Sequence, residues 1–231
     1  LQIIRALFNH EVEIGHIDRS PFLHIKNIKV DKPRPEFYTE TELDLFFNQN
    51  MPDAYRYAFL ALLHTGLRIN ELINLTWDDV NIDNRLLYIR PKNEIKLKTD
   101  NAQRIIPVND TLLDVLATIR GNRKSEIYPF CSITGKKLRE RKLLTACKEI
   151  GSSAGIKSRI FLHKFRHTFA THLVKRRVPI EAIQRLLGHS NIQQSMVYLH
   201  VRSEELHSDV ALLNDLASLN QVSDNPEISK K

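Results

Sequence analysis

Cysteine is almost absent: Cys131 and Cys147 are the only two in 231 residues. They make neither a disulfide framework nor a metal-ligand pair, so a reducing, cytoplasmic setting is expected and neither thiol is assigned a function. Long apolar runs are missing too. None approaches the roughly 20 residues that cross a bilayer, and the basic start has no signal-peptide core, which points to a soluble, intracellular chain without a membrane partner. There is no internal repeat and no low-complexity tract. What is present is a 42% hydrophobic content, enough to bury one main core with a small appendage. Lys and Arg number 34 against 27 Asp and Glu, a formal charge of +7, with an isoelectric point near 9.4. That balance suits a polyanionic partner, and equally a merely basic protein.

Residues 1 to 12 place Ile3, Ile4, Leu7 and Phe8 at helical spacing, and Pro21, Pro33 and Pro35 then punctuate a basic stretch. This reads as the last helix of a preceding domain and a linker, residues 1–35. A main domain is expected over 36–218, opening with a capping box at Thr39 and Glu42 ahead of Leu43, Phe46 and Phe47. Helices are predicted over 53–64, closed by Gly66, and over 68–75. From Trp77 to Val108 β-branched and apolar segments flank polar turns at Asp83-Asn84 and Asp100-Asn101, the pattern of a small antiparallel sheet. Helical periodicity returns near 112–119, 139–154 and 163–176. Pro179 then opens a helix in its first turn, Gly188 closes it, and further helices are predicted over 191–200 and 203–218. Residues 219–231 read as a polar tail. The expected fold is mainly α with one small three-stranded antiparallel β-sheet.

Four segments carry chemistry. In Thr65-Gly66-Leu67-Arg68-Ile69-Asn70-Glu71-Leu72, Arg68 stands at a helix start beside exposed amides, a place for a phosphate. The alternative is a surface arginine paired with Glu71 at i, i+3. In His163-Lys164-Phe165-Arg166-His167, His163 and Arg166 share a helical face and make an oxyanion clamp. His163 and His167, at i, i+4, also have metal-ligand spacing, but they lack a zinc-peptidase glutamate and a third ligand. Either ring can instead be packed, and His172 reads as structural. Leu186-Leu187-Gly188-His189-Ser190 sets His189 just past a helix end, and Tyr198 follows nine residues later. The fourth segment is Lys96-Leu97-Lys98-Thr99-Asp100, a hairpin whose lysine can donate a proton or contact a phosphate, or simply be solvated.

The ordered set T-G-L-R-x-x-E-L, K-T, H-x-x-R-H-T-F-A-T-H, L-L-G-H-S and a tyrosine nine after that histidine resembles the tyrosine recombinase (phage integrase) family, over roughly Thr39 to Ser218. The resemblance implies that Arg68 and Arg166 bind the phosphate, that His163 and His189 are the two active-site histidines, and that Tyr198 is the nucleophile. Lys98 corresponds to the hairpin lysine, with Lys96 on the same strand face as its rival. Residues 1–35 then match the end of the family's core-binding domain. The implied partners are double-stranded DNA and, on it, a homotetramer, in a prokaryotic cytoplasm.

The chemistry fits these residue types. A phosphodiester attacked by a phenol gains negative charge on its non-bridging oxygens, which fixed guanidinium and imidazole donors stabilise without a metal or cofactor. A phenol with a reference pKa near 10 benefits from a base, for which His163 is the candidate, and the leaving 5′-oxygen benefits from an acid, for which Lys98 is. By resemblance the product is a 3′-phosphotyrosyl bond that a second 5′-hydroxyl reverses without ATP. Two other readings remain: a type IB topoisomerase-like enzyme, and a catalytically silent DNA-binding module of the same fold.

Overall fold

The computed structural model describes residues 2–25, 34–92 and 103–201. The chain divides into two compact units between residues 33 and 34. The first holds helix α1 (Gln2–Glu13) and a Phe8–Phe22 ring contact with centroids 5.4 Å apart.

In the second unit, α2 (Glu40–Phe47) starts at the expected capping box: Thr39 accepts from the Glu42 backbone N–H while the Glu42 carboxylate accepts from that of Thr39. Helix α3 (Asp53–Thr65) buries Ala58, Ala61, Leu62 and Thr65, the three-and-four spacing of one helical stripe. Gly66 ends it in the left-handed region, φ 64° and ψ 20°. Helix α4 (Ile69–Asn74) and a 3-10 turn (Trp77–Asp79) lead into strands β1 (Val80–Asn81), β2 (Leu86–Ile89) and β3 (Arg104–Pro107). These form an antiparallel sheet in the order β1-β2-β3, with Leu87 opposite Ile106 and Ile89 opposite Arg104. Strand alternation puts Arg104 on the buried face with Ile106, while Ile105 is exposed. A charged residue is thereby aimed inward, and the site described below depends on it.

Helices α5 (Asp110–Gly121), α6 (Glu140–Ser153), α7 (His163–Lys175) and α8 (Ile180–Leu187) complete the packing. Cys147 lies on the buried stripe of α6 with Leu143, Ala146 and Ile150, and burial pushes its thiol up to about 12, as suits a core residue. At the centre of the main core, Phe165 of α7 stacks on Phe59 at 5.5 Å and meets Tyr38 at 5.0 Å and Phe46 at 5.5 Å. Each such ring pair contributes about 0.5–1.5 kcal/mol beyond area burial, so α7 is fixed along its length. A second cluster joins Ala170 and Val174 of α7 to Ile183 and Leu187 of α8 and to Tyr198.

The structure corrects two boundaries. Pro179, expected inside the first turn, is the N-cap of α8, with extended ψ of 140°. Residues 191–200 are not one helix: α9 (Gln193–Met196) is a single turn, Leu199–Val201 is a 3-10 turn, and Tyr198 occupies the turn between them. The cause is a shift to i→i+3 bonding, Ser195 N–H to Ile192 O at 2.8 Å and Tyr198 N–H to Ser195 O at 3.1 Å. This tightens the backbone and turns Ser195 and Tyr198 inward while Met196 and Val197 face outward. The predicted 203–218 helix, the 219–231 tail, the Asp100-Asn101 turn, Lys96 and Lys98 lie outside the described residues.

Candidate active site

The site is organised by the C-terminus of α8. A helix end leaves backbone carbonyls without intrahelical partners and carries partial negative charge, so it attracts cations. Here three successive carbonyls each receive an arginine. Leu186 O accepts from Arg104 Nε at 2.7 Å, Leu187 O from Arg166 Nη2 at 2.6 Å, and Gly188 O from Arg68 Nη2 at 3.3 Å. The left-handed conformation of Gly188, φ 64° and ψ 46°, turns the chain so that the carbonyls fan outward instead of continuing the helix. The motif Leu186-Leu187-Gly188 thus acts through its backbone.

Glu71 locks two of these arginines. Arg104 grips its carboxylate with both terminal nitrogens, at 2.9 and 2.8 Å, while Arg68 reaches Oε1 at 3.0 Å and gives its backbone N–H to Oε2 at 2.8 Å. Burial alone raises the Glu71 pKa, but the hydrogen bonds and charge of Arg104 and Arg68 outweigh it, and the net shift is downward. Glu71 is therefore an anion. Arg68 is paired with Glu71, and 39% of its side chain still faces solvent.

Arg166 is 1% exposed and uses its two other terminal contacts on the protein, Nη1 to Gly66 O and Nη2 to Leu187 O, both at 2.6 Å. Its Nε is buried without a hydrogen-bond partner. Burial, then the Arg68 charge, pull its pKa down to about 9, which leaves it cationic at neutral pH. Gly66 matters here twice, through its carbonyl and through its missing side chain. A Cβ at this position meets Phe169 Cδ1 at 2.5 Å, in a backbone region that costs a non-glycine residue about 1–3 kcal/mol. Gly66→Ala is expected to lower the melting temperature by at least about 4–8 °C, from roughly 2 kcal/mol at 2–4 °C per kcal/mol for a chain this long. An unchanged calorimetric midpoint counts against this account of the turn.

His163 and His189 are neutral at pH 7. Burial first, then Arg166 and Arg68, hold His163 down to about 4 and His189 to about 3. His189 sits past the α8 cap with Nδ1 2.8 Å from Ser195 Oγ, a partner supplied by the tightened turn of α9. Tyr198 is 2% exposed. Burial raises its hydroxyl above the ordinary phenol value, against the pull of Arg166. Its Oη lies 2.7 Å from Nδ1 of His167, the ring considered above only as a packed group or metal ligand. His163, the candidate base, instead stands edge-on to His167 with centroids 4.7 Å apart.

Arg68, His163, Arg166, His189 and Tyr198 are thus gathered from the N-cap of α4, from α7 and from the segment that follows α8. Arg104 and Ser195 join them without having been singled out. A period-two strand pattern that puts Arg104 in register with Ile106 is the signal that could have marked Arg104; Ser195 had none. Among the described residues no group of three or more His, Cys, Asp or Glu is arranged to hold a metal ion, and no helix is long and apolar enough to cross a membrane.

Residues 39–205 match the model of the phage integrase family. The chain belongs to that family. It is 33% identical over 205 residues to a tyrosine recombinase of Pseudothermotoga lettingae, covering 87% of this chain and 69% of that protein. It is 32% identical over 213 residues to the tyrosine recombinase XerA of Thermococcus kodakarensis, covering 89% and 71%. In fold it is similar to the integrase of the Tn1549 transposon, solved in complex with a circular intermediate DNA: TM-score 0.71, 20% identity, 88% of this chain and 76% of that one. The mainly helical domain with its three-stranded sheet is the catalytic-domain fold of this phage integrase group.

Proposed function

We propose that this chain is a site-specific recombinase that cuts and rejoins duplex DNA through a bond to Tyr198, without a metal ion. The observation that carries the reading is the gathering of Arg68, Arg166 and His189 at the α8 C-terminus beside a buried tyrosine. The formal charge of +7 favours the same polyanionic partner.

In cleavage, Tyr198 Oη attacks phosphorus, the P–O5′ bond breaks, and the 3′-phosphate becomes a phosphotyrosyl diester. The phenol proton leaves the site, and the 5′-oxygen takes up a proton to depart as a hydroxyl, so charge and protons balance. Arg68 offers its solvent-facing edge to the non-bridging oxygens, and the buried Arg166 adds its positive charge from beneath. When Ser195 donates to His189 Nδ1, the Nε2 proton of His189 is directed outward as a further donor. Guanidinium forks fixed in advance by carbonyls and Glu71 need little reorganisation as charge develops, which is where such groups accelerate a reaction. His163 is assigned as base and Lys98, with Lys96 as its rival, as acid. Religation reverses the step with a 5′-hydroxyl from another strand. A homotetramer on DNA, in a prokaryotic cytoplasm, is the expected assembly.

The test uses a duplex recovered from a random-sequence pool by binding to this chain, nicked near its centre and incubated in EDTA. The expected product is a denaturation-resistant protein–DNA adduct, and exchange of strands between two such duplexes. Binding without an adduct indicates a silent module, and relaxation of supercoils without exchange a type IB-like enzyme. Loss of the adduct in EDTA with recovery in magnesium or zinc contradicts metal independence.

A further inference from the structure

His167 stands outside the phosphate-binding set, yet it touches the atom assigned to attack. Its Nδ1 is 2.7 Å from Tyr198 Oη, and the two rings lie 5.8 Å apart at 50°. The imidazole is itself held between two edge-on rings, His163 at 4.7 Å and 86° and Phe161 at 6.2 Å and 71°. It follows Arg166 directly on α7, the helix anchored in the core by Phe165. The hydroxyl of a residue on a short, irregular turn is thereby tied to a side chain on the most firmly packed helix.

We infer that His167 is a positioning residue for the nucleophile, accepting the Tyr198 hydrogen at Nδ1 and fixing where the phenol oxygen stands relative to Arg166. The inference rests on the reading of Tyr198 as nucleophile. His167 is not cast as the base. At rest, burial first and then His163 and Arg166 hold its pKa down to about 4, as His163 is also held, while burial raises that of Tyr198, so the resting proton stays on the phenol and the contact acts by position. What the contact supplies is an address: Tyr198 lies beyond α9, a single helical turn, and the ring nitrogen gives its hydroxyl a fixed partner. In-line attack needs the reacting atoms about 3–3.5 Å apart and aligned, and a displacement of about 1 Å is worth up to about 10²-fold in rate.

The experiment measures the rate of adduct formation, against DNA concentration, on the nicked duplex selected by this chain. His167→Phe keeps the ring's bulk and both ring contacts but removes the nitrogen. It is expected to lower the saturated rate by about 10- to 100-fold, with the half-saturating DNA concentration unchanged. His167→Asn returns a polar atom near the Nδ1 position and is expected to recover most of the rate. Should the phenylalanine variant fold poorly, His167→Ala with imidazole added to the buffer replaces it, and the added ring is expected to restore the rate. A purely structural role predicts instead loss of melting temperature, with no advantage of asparagine over phenylalanine and no rescue by imidazole. Those results overturn the inference, as does a phenylalanine variant that cleaves at the original rate or faster. Every variant is compared with its Tyr198→Phe counterpart. An adduct that persists in those counterparts overturns the nucleophile assignment itself, a different result from a normal Tyr198 adduct that ignores His167.

Discussion

Tyr198→Phe is expected to abolish the covalent DNA adduct entirely, the largest effect of any single substitution, while leaving DNA binding close to normal. The nucleophilic atom is removed. The structural cost is small by comparison. Tyr198 is buried against Ala170, Val174, Ile183 and Leu187, contacts that a phenylalanine ring keeps. What is lost is the hydrogen bond to His167, and leaving that nitrogen without a partner costs about 1–3 kcal/mol. A chain of this size should then melt lower by roughly 2–12 °C and still be folded at room temperature. A denaturing gel beside a melting curve separates the two effects. An undiminished adduct in the phenylalanine variant removes Tyr198 from its role.

The second large effect is a loss that depends on the leaving group. Arg68→Ala is expected to slow cleavage by about 10²–10³-fold, the usual consequence of deleting one preorganised donor to a developing anion. Lys98→Ala is expected to slow it by about 10²–10⁴-fold, the range for a general acid. A duplex with sulfur in place of the bridging 5′-oxygen discriminates between them, because the thiolate departs without a proton. It should rescue most of the Lys98→Ala loss and little of the Arg68→Ala loss. Arg68 is the better arginine to delete. It is partly exposed, and without it Glu71 stays held by both terminal nitrogens of Arg104. Arg166→Ala also strips two carbonyls, Gly66 O and Leu187 O, and empties a fully buried site, so stability falls along with rate. Rescue in Lys96→Ala but not Lys98→Ala moves the acid by two residues. Rescue in neither reduces the hairpin to a backbone contact.

The elements that could be read from the sequence are those written in side-chain identity within a few residues. Thr39 and Glu42 announce a helix start, and Gly66 and Gly188 mark two left-handed caps. The β-branched and apolar runs of Leu86 to Ile89 and Arg104 to Val108, set around polar turns, mark paired strands. What could not be read lies in the backbone or at long range. The carbonyls of Leu186, Leu187 and Gly188 do their work with atoms every residue has, and their arginine partners arrive from 21 to 120 positions away in the chain. Arg104 looked like one basic residue among many because its role depends on which face of β3 turns inward. His167 has the spacing of a metal ligand to His163, and only the inward swing of Tyr198, through i→i+3 bonds that periodicity does not reveal, gives it another partner.

The most direct measurement is the chemical identity of the protein–DNA bond. The adduct trapped on nicked duplex is digested with trypsin and nuclease, and the modified peptide is sequenced by mass spectrometry. Trypsin releases Tyr198 on the peptide from Leu186 to Arg202, in which it is the one tyrosine. The account predicts a nucleotide joined through its 3′-phosphate to Tyr198, with one free 5′-hydroxyl formed on the DNA for each adduct. A nucleotide attached to any other residue, or joined through a 5′-phosphate, contradicts it.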